Sequence, residues 1–185
     1  MHADPTPLSE GHRERAALPA AALIHLHRAL RKEVGPLEAV HALHDAGFAT
    51  GDLLFRELQD RMGPNIPELH ESRFWKELDA FFDAKGWGGL THERVHPGLG
   101  MLRARDWGES DPESPGTQPS CAFSAGLLAH ILGRIAGGAL AVLEVACRSR
   151  GDGECHFLFG SEPAIHEVYG LLLDEGSLDA ALGRL

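Results

Sequence analysis

The chain combines 185 residues, 43% hydrophobic content and a net charge of −10, from 17 Lys and Arg against 27 Asp and Glu. That length supports one domain with a sizeable core, and the acidic surplus repels phosphate backbones and anionic lipids, so nucleic acid and membrane surfaces are not expected partners. No apolar run reaches the roughly 18–20 residues of a membrane span and no apolar signal core precedes residue 15, so a soluble, cytoplasmic protein is expected.

Residues 1–14 carry prolines and charges and almost nothing apolar, which predicts a disordered tail before a single domain over residues 15–185. Pro19 suits a first helical turn, and Leu23, Leu26, Leu30 and Val34 recur at helical spacing until Gly35. A second stripe from Leu37 to Leu58 passes through Gly47 and Gly51 and predicts one kinked helix or two short ones. After the Gly63, Pro64 and Pro67 breaks, Phe74, Trp75, Leu78, Phe81 and Phe82 form a bulky helix face. LTHERVH and MLRARDW flank His96-Pro97-Gly98 as two strands around a turn, with Trp107 expected on the second. Residues 108–120 read as a polar, proline-rich loop beside a site. A helix then starts at Ser120 or Cys121, and ALAVLEVAC reads as a central strand covered on both faces. A glycine turn leads to CHFLF, and two short helices follow. The expected fold class is α+β, with a four-stranded antiparallel sheet packed with helices.

All three cysteines lie between residues 121 and 160, and with Glu144 they form a candidate metal set: Cys121, Glu144, Cys147 and Cys155. Their odd number in a chain without a secretion signal argues against a disulfide framework. Thiolates and a carboxylate are ligands that zinc takes in a tetrahedron. Glu144 and Cys147 would point to opposite faces of a regular strand, so a bulge or the strand's end must turn one of them. Cys121 falls at a helix start, where free amides favour thiolate. Burial of three small apolar side chains is the competing reading, and His156 is a lesser candidate for the fourth ligand.

The pattern of Cys121, Phe123, Gly126-Leu127-Leu128, Val142, Glu144, Cys147, Gly151, Gly153, Cys155 and Phe157 resembles the 4-vinyl reductase-type, or hydrocarbon-binding, domain. That domain is related to the TRAPP subunits of Golgi transport, which implies the NO-signalling/Golgi-transport ligand-binding-like fold. The resemblance is strongest to the sensor domains of phenol-responsive transcription activators. It implies a structural zinc at the four residues named, a Trp at about Trp107 that holds a ligand hydroxyl, and a homodimer. The apolar surplus of Leu23, Leu26, Leu30, Leu53 and Leu54 points to a dimer as well. The phenol sensors continue into ATPase and DNA-binding domains. With the sequence ending at Leu185, activation of transcription by this chain alone is not expected.

Trp107, Trp75, Phe81, Phe123, His130 and Val142 are the candidate ligand-binding residues, lining an apolar pocket between sheet and helices; ordinary packing is the competing reading. No Ser/His/Asp order, phosphate-cradling loop or nucleotide fingerprint is present, so no enzyme is expected. The expected function is binding or sensing of a small apolar, aromatic or hydrocarbon molecule. The alternatives are an assembly subunit like the TRAPP relatives and an accessory protein of tetrapyrrole vinyl reduction.

Overall fold

Glycine and proline set the first boundaries. In the computed structural model, which describes residues 19–113 and 116–185, Pro19 precedes helix α1 (Ala20–Val34) and Gly35 separates it from α2 (Pro36–Met62). The tail expected over residues 1–14 lies outside the described residues. Helix α2 is one uninterrupted helix of 27 residues, not two. Gly47 and Gly51 do not break it, because both are buried where it crosses α4 (Ala122–Ala136). A Cβ on Gly47 would lie 1.9 Å from the Phe123 carbonyl oxygen, and one on Gly126 would lie 2.0 Å from that of His44. These glycines exist for close approach of two backbones, and their cost in helix propensity is offset by that packing.

Helix α3 (Glu71–Ala84) is capped by the His70 side chain, which accepts from Ser72 N. Strands β1 (Gly89–His96) and β2 (Leu99–Arg105) follow, then β3 (Ala141–Ala146) and β4 (Cys155–Gly160). Helices α5 (Glu162–Glu175) and α6 (Leu178–Leu182) close the chain. The sheet is antiparallel throughout, in the order β1-β2-β4-β3. The ALAVLEVAC strand is therefore an edge strand and not the central one, and every residue of β3 is only half-buried. Its apolar run reflects side chains gripped on both faces, while one backbone edge lacks a neighbour.

Paired positions place Leu90, His92, Leu102, Ala104, Cys155, Phe157, Phe159, Glu144 and Val142 on one face. This face meets α2, α3 and α4 in the main core, where Trp107, Phe82, Leu127, Leu128 and Phe157 are fully buried. Each such side chain contributes about 1.5–3 kcal/mol by leaving water. The other face carries Leu99, Met101 and Leu158, covered by Ile165 and Val168 of α5. Helices thus lie on both sides of the sheet. Among the described residues no helix is long and apolar enough to cross a membrane.

Candidate metal centre and the aromatic core beside it

Three elements bring the four predicted ligands together. Cys121 is the N-cap of α4, Glu144 lies on β3, Cys147 stands one residue past the end of β3, and Cys155 opens β4. The pairing of β3 with β4 slips between Glu144 and Ala146, and this bulge turns Glu144 and Cys147 to the same side. Between Cys147 and Cys155 the chain makes a tight knuckle. Asp152 accepts from Cys147 N at 2.8 Å, and Gly151 takes the left-handed φ of 97° that the turn needs. Arg148 N donates to Cys155 Sγ at 3.5 Å.

The ligand atoms of all four residues lie within 4.8 Å of one another, close enough to hold one metal ion. Cys121 Sγ is 3.8 Å from both Cys147 Sγ and Cys155 Sγ, and all three cysteines are fully buried. Glu144 Oε2 accepts from Cys121 N at 2.8 Å. Its Oε1 is buried with no partner among the described residues. An orphaned carboxylate oxygen beside three thiols is expensive to bury unless a cation completes it.

Charge balance points the same way. Hydrogen bonds from the Cys121 and Cys155 thiols hold Cys147 far below the ordinary thiol range. The same hydrogen bond to Cys147 raises Cys121, and burial raises Glu144 well above the carboxylate range. With protons as the only cations the cluster keeps roughly one negative charge, and a bound metal ion would let the others ionise. His156, the lesser candidate, points to the opposite face and meets Glu154 at 3.1 Å.

The ligand-pocket candidates occupy three places. Trp107 is past the end of β2, not on it: Asp106 adopts φ 51° and turns the chain inward. The Trp107 ring is 1% exposed and packs against Phe82, Trp87 and Phe157 at centroid distances of 5.5, 5.5 and 5.9 Å. Its indole N–H, the donor expected to face a ligand, donates instead to Ser124 Oγ at 2.7 Å. Phe123 stacks on Trp87 at 6.0 Å, and Phe81 packs edge-on against Phe82. Trp75 lies further along the sheet, stacked on His92 at 3.9 Å and near Phe159, which pairs with Val142. His130 stands apart, against Phe48 and Gly51, with both ring nitrogens unpartnered among the described residues.

A buried polar chain joins the two regions. Glu109 accepts from Phe123 N at 3.0 Å, from Ser124 N at 2.8 Å and from the Ser124 hydroxyl. It caps α4 from outside, while Glu144 serves the Cys121 amide. Burial pushes the Glu109 carboxyl up to about 7. Glu109 and Ser124 were invisible to sequence reasoning, since 15 residues of irregular chain separate them.

Fold and site together define an α+β domain whose central helix and second hairpin are tied at a buried thiolate–carboxylate cluster. Residues 110–161, the stretch that holds all four cluster residues, match the family model of the 4-vinyl reductase domain. The resemblance to this domain read from the sequence is thereby shown. The fold is also similar to the crystal structure of the phenol-responsive sensory domain of the transcription activator PoxR with phenol. That alignment covers 80% of this chain and 76% of that one, with 18% identity and a TM-score of 0.66. A vinyl-4-reductase family protein from Methanocaldococcus jannaschii aligns over 80% of this chain and 83% of its own, with 20% identity and a TM-score of 0.49. No match was found among curated proteins.

Proposed function

We propose that this chain is a non-enzymatic binding or sensing domain for a small aromatic or otherwise apolar molecule, built around one structural zinc ion. The ion would be held by Cys121, Glu144, Cys147 and Cys155. The observation that carries the metal is the pair of Sγ–Sγ separations of 3.8 Å, with Glu144 Oε1 left over as a fourth ligand. Sulfurs at about 2.3 Å from a tetrahedral zinc stand about 3.8 Å apart. Four protein ligands leave no open position for a substrate or an activated water, so the ion would compensate charge and fix the helix–hairpin junction.

The ligand reading rests on the rings that converge on Trp107 beside this junction and on a fold shared with a domain crystallised with phenol. Trp107, Phe81 and Phe123 would offer faces and edges to an aromatic guest, with Trp75 and Val142 further along the same sheet face. His130 has no place in that cavity. Because the Trp107 N–H is engaged by Ser124, the ring and not the donor would make the contact.

Two measurements test the reading. Elemental analysis of purified protein is expected to give one zinc per chain, and titration with phenol is expected to quench tryptophan fluorescence saturably. Protein without stoichiometric metal, or fluorescence that phenol changes only linearly, would defeat the corresponding half. Exposed Leu26, Val34, Leu37, Val40 and Phe48 on α1 and α2 support a homodimer as well. Light scattering should return twice the chain mass at micromolar concentration, and a monomer mass rejects it.

A further inference from the structure

A cleft of about 330 Å³ lies between α1 and the chain around Glu109 and Ser149, outside the aromatic core. Its α1 wall presents Ile24, His27, Arg28 and Arg31, and the facing wall presents Glu109, Asp111, Ser120 and Ser149. We propose that this cleft binds a small carboxylate, received by Arg31, His27 and the Ser149 hydroxyl.

The assignment follows from which groups are already satisfied. Asp111 is matched to Arg28 by an ion pair. Glu109 is turned into the start of α4, where three donors take up its oxygens. Ser149 Oγ accepts from Asp111 N at 2.7 Å and from Ser120 Oγ at 2.6 Å, so its own proton remains to be donated. Ser120 in turn has Ser149 and the Cys147 sulfur as neighbours.

What remains is all donor. His27 is only 7% exposed, yet its Nε2 has no partner among the described residues. A buried imidazole nitrogen left bare costs about 1–3 kcal/mol, which a ligand would recover. Arg31, one helical turn further along α1, has no carboxylate partner among the described residues. A guanidinium, an N–H and an O–H converging on one space match the lone pairs of a planar carboxylate. Ile24 adds an apolar wall for the remainder of the ligand. The site owes nothing to the metal ion or to the aromatic pocket, so its failure would leave the proposed function standing.

The experiment is a titration of the full-length, metal-loaded protein, labelled for NMR, with sodium benzoate. Benzoate should shift the His27 ring and Arg31 side-chain resonances and leave the Trp107 indole signal in place. Arg31→Gln, a change at an exposed position that leaves the core untouched, should weaken benzoate at least tenfold, as should His27→Phe. Three results overturn the proposal: no benzoate shifts on α1, equal binding by Arg31→Gln, or inorganic phosphate binding there more tightly than benzoate. Shifts confined to Trp107 would place benzoate in the aromatic core and overturn it as well.

Discussion

Replacing Gly126 by alanine adds one methyl group at the crossing of α2 and α4. The new Cβ would stand 2.0 Å from His44 O, about 1.4 Å short of the 3.4 Å at which ordinary contact begins. The other obstacles, His44 C at 2.8 Å and Phe48 N at 2.9 Å, are also main chain, which no rotamer change can move aside. Overpacking typically costs about 1–3 kcal/mol and sometimes more, and a backbone clash belongs at the upper end. Alanine's better helix propensity returns about 1 kcal/mol. The net loss is about 2 kcal/mol, which lowers Tm by about 4–8 °C in a domain of this size. Gly170→Ala is the matched control. Gly170 is exposed in α5 with nothing within 4 Å of its added Cβ, so the same chemical change should raise Tm by about 2–4 °C. Thermal unfolding followed by circular dichroism reads both. If Gly126→Ala matched or exceeded the native Tm, the claim that backbone contact dictates glycine at this crossing would be wrong.

The pH dependence of stability isolates Glu109. Its folded pKa of about 7 lies above the ordinary 4.5, so its contribution is complete below about 4.5 and is lost as pH rises through about 7. That amounts to on the order of 3 kcal/mol, and Glu109→Gln should flatten the decline; parallel pH profiles for the two proteins would refute the assignment. Cys147→Ser breaks a buried charged cluster and should cost on the order of 3 kcal/mol together with the bound zinc. Unchanged denaturant midpoint and metal content would contradict it. Trp107→Ala should weaken phenol about tenfold or more through lost ring area, whereas Trp107→Phe, which keeps a ring and loses only an already engaged N–H, should stay within about threefold. An equal loss for both would return the N–H to the ligand.

The cluster was legible in sequence because cysteine is scarce here and its spacing brackets a helix and a hairpin. The strand-end requirement for Glu144 and Cys147 was also legible, since a period of two forbids the pair in a regular strand. The misplacement of β3 has a physical cause. Its apolar side chains touch both helical layers, and sequence records what side chains touch but not whether a backbone edge has a neighbour. Gly47 and Gly51 were misread because the signal that breaks an isolated helix is the signal that lets two helices meet. Glu109, Ser124 and His27 left no trace, because their roles depend on partners brought in by tertiary packing and carry no periodicity.

The strand order has a consequence for how the chain assembles. The sheet is two local hairpins, and the only seam that joins them is β2 against β4, where Leu99 meets Gly160 across some sixty residues of chain. Local hairpins close in about 1–10 μs, whereas a distant seam waits on a larger loop-closure entropy. Every member of the cluster falls between Cys121 and Cys155, within the helix and the later hairpin. A cation can therefore nucleate the second half of the molecule before the first half has found its register, and the seam then forms against an edge already held in shape.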